Sequence, residues 1–395
     1  MKEHPMRRIM MTVAVCMAGL VAELPSAAAA DHYQVRSFGS LGGSSSSGAS
    51  INRFGLVSGV SNLPGDQRVH AAIWLNGSAF DLGTLGGANS AINWPVKNDY
   101  GVLVGFSETA QMDPLGESWS CSFFFPVPTG HSCRGFVWRW GHMHALPTLG
   151  GNNGFAAGAN NFGLAVGWAE NTVHDPTCDP ASSQVLQFKP VVWGPGNDDI
   201  RALPLIGTDT SGAATAINDR GQVVGISGLC DQAIGRYSAI HAVLWQNGQA
   251  IDLGNLGVPA WNTPMAINER GVVVGFANIA NPGGAANFNP HAFIWTPAGG
   301  MRDLGTLPGD ATSQALGIND QGTVVGQSCN AKNVCNAVVW RNGRIVNLNW
   351  PGVTSGNSDP LVSANDINDA GVITGQSWNA AAQAGSAFVA VPDGL

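Results

Sequence analysis

Short apolar runs alternate with glycine-containing turns along almost the whole chain. In residues 318–326 an apolar residue precedes Asn319, Gly322 follows three residues later, and Val324-Val325 leads to a second glycine. Asn-x-x-Gly between two apolar runs predicts a tight hairpin turn, because Asn bonds its own backbone and Gly accepts a positive φ. The Val-Val pair predicts a buried strand. The pattern occurs seven times, at residues 51–59, 97–105, 159–167, 217–225, 267–275, 318–326 and 367–375.

Two further motifs follow each turn in a fixed order. A short apolar strand ending in Trp comes first, and a strand of the type Asp-Leu-Gly, such as residues 81–87, comes second. Six of the apolar strands keep the Trp, whereas the last, at residues 386–390, has lost it. Each repeat therefore predicts four short antiparallel strands, and sheets of this kind arranged radially form a β-propeller.

The two ends of the chain predict how the ring closes. Residues 32–41 carry a lone fourth-strand motif, and residues 387–391 form a lone third strand. Pairing them completes a last blade. We therefore predict an all-β fold, a seven-bladed β-propeller of four-stranded antiparallel blades closed by the N-terminal strand. An open β-solenoid or two β-sandwiches are the alternatives, but a solenoid needs polar caps and two sandwiches would not share one motif seven times.

The first 30 residues have the pattern of a secretory signal peptide. Lys2, Arg7 and Arg8 precede an apolar run at residues 9–22, and three alanines before Asp31 form a small-residue cleavage site. A retained membrane anchor is the alternative, but a spanning helix needs about 20 apolar residues. We expect residues 31–395 to form a single propeller domain that is secreted, either to the periplasm or outside the cell.

Composition excludes several classes of protein. Hydrophobic residues make up 44% of the chain, which excludes a disordered protein, and the 53 glycines agree with many turns. The formal net charge is -8 and no lysine or arginine cluster follows residue 30, so nucleic acid and anionic membranes are poor partners. We expect a monomer that does not insert into a membrane after signal cleavage.

One tripeptide links these motifs to a known family. His291-Ala292-Phe293 precedes Ile294-Trp295, and the Ile-Asn-Asp-x-Gly and Asp-Leu-Gly motifs accompany it in order. Over residues 33–391 the chain resembles the bacterial extracellular HAF-repeat family, although the copies at residues 70–72 and 241–243 are partial. The resemblance implies export and a repeat architecture, and it transfers no activity.

Six cysteines follow the signal, an even number that predicts disulfides in an exported protein. Two pairs each lie within one loop between a second and a third strand, and the remaining two cysteines occupy that loop in adjacent blades. The pairing of these last two cysteines rests only on the adjacency of the two blades. The predicted bonds are Cys121–Cys133, Cys329–Cys335 and Cys178–Cys230.

Loop lengths indicate which side of the ring carries function. In a blade of this topology the loops after the second and fourth strands leave on one face, here called the loop face, and the two tight turns leave on the other, the turn face. Loops at residues 107–134 and 169–187 are far longer than their equivalents, whereas the tight turns are expected to be short and uniform. Variable loops on a rigid scaffold usually carry function.

Four tryptophans outside the repeat pattern lie in or near these loops, and Phe123-Phe124-Phe125 accompanies them. Aromatic side chains on loops stack on sugar rings or clamp peptides. The alternative is that they pack a loop against the ring or plug its opening. The predicted ligand-binding residues are Trp119, Trp261, Trp350 and Trp378.

Catalytic signatures are absent from the sequence. Glu108, Asp113 and Glu117 on one long loop would supply paired carboxylates for glycan chemistry, but acidic residues on loops are usually solvated. His142 and His144 offer two metal ligands without a third. Each turn asparagine satisfies its own turn, and the histidines at positions 70, 241 and 291 are structural hydrogen-bonding residues. We predict no cofactor, no metal and no catalytic residue.

Two classes of function remain. The first is a secreted, non-enzymatic propeller that binds a glycan or an extracellular protein through its loop face. The second is an exported carbohydrate-active hydrolase or lyase that uses loop carboxylates.

Overall fold

A computed structural model describes residues 32–117, 123–181, 183–196, 198–230, 238–280, 288–356 and 358–394. These residues contain β-strands in seven sheets. The strands are β1 (Tyr33–Ser37), β2 (Ser46–Ile51), β3 (Val57–Asn62), β4 (Val69–Leu75), β5 (Ser78–Asp81), β6 (Gly86–Ala91), β7 (Leu103–Met112), β8 (His131–Arg139), β9 (His142–Ala145), β10 (Gly154–Ala159), β11 (Ala165–His174), β12 (Leu186–Trp193), β13 (Ile200–Ala202), β14 (Ser211–Ile217), β15 (Val223–Gly228), β16 (His241–Gln246), β17 (Gln249–Asp252), β18 (Thr263–Ile267), β19 (Val273–Asn278), β20 (Pro290–Thr296), β21 (Gly300–Asp303), β22 (Thr312–Ile318), β23 (Val324–Cys329), β24 (Cys335–Arg341), β25 (Arg344–Asn347), β26 (Thr354–Ser355), β27 (Leu361–Ile367), β28 (Ile373–Asn379) and β29 (Ala384–Pro392).

The sheets confirm the predicted propeller. Blades 1 to 6 are the consecutive antiparallel sheets β2–β5, β6–β9, β10–β13, β14–β17, β18–β21 and β22–β25. Blade 7 has the order β27-β28-β29-β1, so the N-terminal strand closes the ring. β1 is antiparallel to β29, from the pair Tyr33–Pro392 to the pair Ser37–Phe388. The two-residue strand β26, which the motifs did not indicate, pairs in parallel with Tyr33 and Gln34 and covers that part of the outer edge of β1.

The second glycine of each repeat motif is required by close packing of the backbone. A Cβ atom on Gly167 would lie 1.8 Å from the carbonyl oxygen of Phe155, and one on Gly326 would lie 1.9 Å from that of Gln314. Contacts this short are impossible, so only glycine lets the second strand of a blade pass the first at this point.

The repeat tryptophans join neighbouring blades, as predicted. Trp193 of blade 3 is 1% exposed, and its Nε1 donates to the carbonyl oxygen of Pro147, at the exit of blade 2, over 2.9 Å. Trp245 of blade 4 donates in the same way to Pro204, at the exit of blade 3. A buried indole therefore contributes both apolar area and one directed hydrogen bond to each of these blade interfaces.

The repeat histidines are structural, also as predicted. Nδ1 of His291 lies 2.8 Å from a carboxylate oxygen of Asp303, on the neighbouring fourth strand of the same blade. The same Asp accepts the backbone N–H of Gly305 at 2.6 Å. His70 with Asp81 and His241 with Asp252 repeat the arrangement. The aspartate of the Asp-Leu-Gly motif therefore connects the third strand to the turn that leaves the blade.

A belt of side chains on the turn face links the blades around the channel. Oδ1 of each turn asparagine accepts backbone N–H groups of its own turn, as expected, for example from Val272 to Asn268. The Nδ2 group adds a bond to the asparagine carbonyl of the next blade, such as Asn268 to Asn319 at 3.0 Å. Six such bonds run from Asn98 through blades 3 to 7 and on to Asn52 of blade 1.

Candidate functional site on the loop face

A pocket of about 260 Å³ opens on the loop face between blades 7, 1 and 2. Its walls come from the start of β2, the end of β3, the irregular segment after β6, the β7–β8 loop and the end of β28. The polar lining consists of serine, asparagine and glutamine, and none of the described residues that line the pocket is charged. The lining residues are Ser45, Ser46, Ser47, Val60, Asn62, Val69, Asn93, Phe124, Pro126 and Gln376.

Some of these polar groups are used by the fold and others are available. Gln376 donates from Nε2 to the carbonyl oxygen of Ser46 at 3.0 Å, and the hydroxyl of Ser47 accepts a bond from Asn365. The half-buried Asn93 amide and the Ser45 hydroxyl, in contrast, form no hydrogen bond within the described part of the chain. The pocket therefore presents a donor and an acceptor that no described residue uses.

An insertion in blade 2 places Asn93 at the pocket. The inner strand β6 ends at Ala91, whereas its equivalent β14 continues to Ile217, directly before the turn asparagine. Asn93, Trp94 and Pro95 interrupt the strand. Five residues separate Ile92 from the turn asparagine Asn98, whereas three separate the equivalent Ala156 from Asn160, so two extra residues displace the chain from the regular path.

Trp94 organises an aromatic cluster beside the pocket. Its ring packs edge-on against Phe124 of the β7–β8 loop at 5.6 Å and against Trp168 at 5.5 Å. Phe106 and Phe155 stack at 3.8 Å beneath them. Phe124 and Phe125 therefore fix the long loop onto the ring, which is the packing alternative considered above. Phe123 keeps 53% of its surface exposed.

The predicted tryptophans have different surroundings. Trp119 lies outside the described residues. Trp261 is 7% exposed and packs edge-on against Phe276 and Phe288, the surroundings of a core side chain. Trp350 is 44% exposed in the loop before β26. Trp378 is half-buried on β28, two residues from Gln376, so both side chains point to the same side of that strand.

The loop carboxylates are not solvated, in contrast to the usual behaviour of acidic loop residues. Glu108 and Glu117 are 0% exposed. Glu108 accepts bonds from Thr129 and from the backbone N–H of Ala88, and Asp113 accepts one from Asn153 at 2.6 Å. The exposed-loop expectation was wrong because Glu108 lies on β7 and is bonded within blade 2. The β7–β8 loop packs against blade 3, which supplies donors to Asp113 and Glu117.

Glu117 and Glu170 form a buried pair of carboxylates. Glu117 accepts the backbone N–H groups of Leu186 at 2.6 Å and Val185 at 3.0 Å. Glu170, on β11, accepts those of Asn152 at 3.0 Å and Asn153 at 2.8 Å. Burial, followed by the charge of Glu117, raises the pKa of Glu170 to about 7, and burial also raises the pKa of Glu117. No repeat motif contains Glu170, so sequence reasoning missed it.

Two predicted disulfides are confirmed. Cys178–Cys230 joins the corresponding loops of blades 3 and 4, and Cys329–Cys335 closes one loop of blade 6. Cys133 is buried in blade 2, and its predicted partner Cys121 lies outside the described residues. Asp175 lies beside Cys178–Cys230, but this group is not a metal site, because sulfurs joined in a disulfide are not thiolate ligands. The Asp175 carboxylate already accepts hydrogen bonds from Ser211, Thr177 and Thr210.

The turn face carries a second opening of about 240 Å³ with a different chemistry. The residue after each turn asparagine is acidic in five blades, and its side chain accepts the backbone N–H of the preceding blade, as Asp320 does from Glu269 at 2.8 Å. Burial and the neighbouring Asp219 and Asp320 charges raise the pKa of Glu269. The carboxylates at this opening are Asp99, Asp219, Glu269, Asp320 and Asp369.

The turns of this face are less uniform than predicted. The turn between β12 and β13 of blade 3 spans residues 194–199, whereas Asn76-Gly77 suffices in blade 1. Gly194 donates to the carbonyl oxygen of Asp199 at 3.0 Å and closes the longer turn. The expectation of uniform turns was wrong here because Asp199 accepts the N–H groups of both Gly194 and Gly196 and so closes a longer turn.

Comparisons with known proteins give no family. No family model and no curated protein matches the chain. Among solved structures it is similar to an acylaminoacyl peptidase from Pyrococcus horikoshii, with 12% identity and a TM-score of 0.49 over 85% of this chain and 49% of that one. It is also similar to a Trypanosoma rangeli sialidase in complex with sialic acid, with 11% identity and a TM-score of 0.40 over 81% and 56% of the two chains.

A third similarity is to a mutant of AofleA from Arthrobotrys oligospora, with 12% identity and a TM-score of 0.37 over 83% of this chain and 94% of that one. The chain spans about half the length (49%) of the peptidase. Likenesses at this level carry no functional assignment. Within the described residues, no helix is long and apolar enough to cross a membrane.

Proposed function

We propose that this chain is an exported, non-enzymatic β-propeller that binds a glycan at the loop-face pocket. The observation that carries the proposal is the lining of that pocket, in which uncharged hydrogen-bonding side chains surround an aromatic ring. Sugars present many neutral hydroxyl groups together with apolar C–H faces. Neutral amides and hydroxyls beside an aromatic face complement both parts of such a ligand.

The available groups define where a sugar would bind. Asn93 offers one acceptor and two donors, and Ser45 offers a hydroxyl, without breaking a bond of the fold. The half-buried Phe124 provides the apolar wall. Trp378, on the same side of β28 as Gln376, extends this surface toward blade 7 and supports a ligand longer than a single sugar ring.

An extracellular protein ligand is the second candidate. Exposed apolar side chains favour it, because Met112 is 61% exposed, Phe123 53% and Trp350 44%. Large exposed side chains of this kind serve as anchors in protein interfaces. The uncharged pocket gives the glycan the stronger case.

The enzymatic alternative has weaker support. A glycoside hydrolase needs two carboxyl groups that reach the scissile bond from opposite sides. Glu108 and Glu117 are fully buried and accept hydrogen bonds from backbone and side-chain donors, and Asp113 is bonded to Asn153. These carboxylates hold the long loops in place. Export agrees with the two confirmed disulfides, which form in oxidising compartments.

The test is a glycan array followed by calorimetry on each glycan that binds. Asn93→Ala is expected to weaken binding about tenfold, the effect of losing one or two hydrogen bonds. Its melting temperature should stay unchanged, because Asn93 forms no hydrogen bond within the described residues. Absence of any bound glycan, or binding that Asn93→Ala leaves intact, would contradict the proposed pocket.

Tryptophan variants separate ligand contact from packing. Trp350→Ala and Trp378→Ala should weaken binding by up to about thirtyfold, corresponding to about 2 kcal/mol for an aromatic anchor. Trp261→Ala is the matched comparison, because burial of its ring predicts a lower melting temperature before any change in affinity. Equal affinities for the first two variants and the wild type would confine the ligand to the pocket and overturn the wider contact surface.

A further inference from the structure

A single amide nitrogen in the interface of blades 2 and 3 is surrounded by three oxygen atoms. Nε2 of Gln184 lies 3.3 Å from Oε1 of Glu117, 3.2 Å from Oε1 of Glu170 and 2.8 Å from the carbonyl oxygen of Leu186. Glu117, Glu170 and Gln184 are all buried, at 0%, 1% and 2% exposure. Two of the three oxygens belong to carboxylates, so this point is strongly attractive to a positive charge.

The Gln184 amide cannot satisfy its surroundings in either orientation. As it stands, Nε2 has two hydrogens for three acceptors, and the buried Oε1 has no hydrogen-bond partner. Turning the amide by 180° would place Oε1 against two carboxylate oxygens and a carbonyl. A buried polar atom without a partner is costly, and such atoms are few in folded proteins.

Hydrogen bonds and the nearby charge of Arg134, rather than an ion pair, offset the charge of Glu170. Within the described residues Glu170 forms no ion pair with a lysine, arginine or histidine. The guanidinium group of Arg134, which interacts electrostatically with it, donates instead to the hydroxyl of Thr148 at 2.9 Å. Burying carboxylates without a cation is unfavourable. A bound cation would remove both this cost and that of the unsatisfied amide.

We propose that a divalent metal ion, of the chemical class of Ca²⁺, binds at this point between the long loops of blades 2 and 3. Its ligands are Glu117, Glu170 and the carbonyl oxygen of Leu186. The Gln184 side chain would withdraw from this point to make room for the ion, and its amide would turn so that Oε1 becomes the fourth ligand. The donor set contains only oxygen, which suits Ca²⁺ and excludes the thiolate and imidazole ligands that transition metals prefer.

A second layer of bonds holds the ligands in position. Nδ2 of Asn153 donates to Glu170 at 3.2 Å and to Asp113 at 2.6 Å. Asp113 and Glu117 belong to the β7–β8 loop, whereas Glu170 and Gln184 belong to blade 3. The ion would therefore connect two blades at the place where the chain has its longest insertions, and its loss would loosen both loops.

The experiment uses the secreted full-length protein after removal of metals with EDTA and dialysis. Calorimetric titration with CaCl₂ is expected to show one site per chain. At a free concentration of about 100 times the Kd, the melting temperature should rise by about 3 to 4 °C. MgCl₂ should give a smaller shift, because Mg²⁺ demands a more rigid octahedral site.

Variants identify the site. Glu170→Gln keeps the shape and an acceptor for the Asn152 and Asn153 N–H groups, so it should fold and lose the Ca²⁺ response. Gln184→Leu should weaken binding at least about tenfold through the loss of one ligand. Glu269→Gln, at the acidic opening of the turn face, is the matched control and should keep the full response.

Two outcomes would overturn the proposed Ca²⁺ site. The wild-type protein is measured at about 10 mM CaCl₂, a concentration above the Kd of most extracellular Ca²⁺ sites. Absence of both binding heat and a melting-temperature shift at this concentration would overturn the proposal. Ca²⁺ binding that survives Glu170→Gln and disappears in Glu269→Gln would assign the ion to the turn face and overturn it equally. Asn93→Ala should leave the Ca²⁺ response intact, so this site and the glycan pocket fail or stand independently.

Discussion

At the scale of single residues, one ion pair shows how the ring departs from its own repeat. Nζ of Lys97 in blade 2 lies 2.5 Å from Oδ1 of Asp366 in blade 7 and 3.0 Å from the carbonyl oxygen of Ile367. Asp366 is 0% exposed and also accepts the backbone N–H of Ile51 in blade 1. The pair therefore ties three blades together at the point of ring closure.

Removal of Lys97 alone should destabilise the protein strongly. Lys97→Ile leaves Asp366 buried without its cation, and breaking a buried ion pair in this way costs about 3 to 5 kcal/mol. The double variant Lys97→Ile with Asp366→Ala carries the residues that blade 4 has at both positions and should recover most of the loss. Chemical denaturation measures both. A Lys97→Ile protein as stable as the wild type would contradict this account.

Residue-scale contacts of this kind could not be predicted from the motifs. The repeat predicted the turn asparagines, the packing tryptophans and the structural histidines, because each recurs at one position of the repeat. Lys97 and Asp366 are 269 positions apart, and each is an exception to its repeat position. Glu117 and Glu170 likewise meet only because two loops of irregular sequence fold against each other.

At the scale of elements, the five-residue strand β1 closes the ring. It pairs with β29 along its whole length, and Tyr33 and Val35 are buried at 5% and 2% exposure among residues of blades 6 and 7. The strand was predictable because residues 37–43 resemble the fourth-strand motifs at residues 81–87 and 303–309. β26 was not predictable, since two residues without a pattern form it.

Deletion of residues 31–41 should open the ring. The edge of β29 would lose its partner and the core beneath Tyr33 and Val35 would be exposed, so we expect the melting temperature to fall by more than about 5 °C and the protein to aggregate. Differential scanning calorimetry and size-exclusion chromatography test both effects. Arg36→Ala, an exposed position on the same strand, is the control and should behave like the wild type. A monomeric deletion variant with unchanged melting would refute closure by β1.

The long loops mark the limit of prediction at this scale. Their lengths indicated the face that we propose for ligand binding, but the insertion at Asn93–Pro95 that shapes the pocket was hidden in a repeat copy that otherwise looks regular. Counted back from the turn glycine, Trp94 stands where most repeats have a small residue, but this count does not reveal the two extra residues of blade 2. The orientation of the Trp94 ring depends on aromatic partners such as Phe124 of the β7–β8 loop. The sequence around Trp94 does not identify these partners.

At the scale of the whole molecule, the two faces of the ring differ in chemistry. The turn face carries a ring of carboxylates around its opening, held by hydrogen bonds from one blade to the next. The loop face carries the uncharged pocket beside an aromatic cluster. A neutral ligand with apolar faces suits the second face, and its binding there is the central claim about function.

Hydrogen–deuterium exchange of the protein with and without a glycan from the array tests that claim most directly. Slower exchange in the bound state is expected in peptides that contain residues 45–47, 93 and 124–126, because the ligand would cover these backbone segments on the loop face. Peptides that contain the turn-face residues Asn52, Asp219 and Asp320 should exchange at the same rate in both states. Protection confined to the turn-face peptides would contradict a loop-face site.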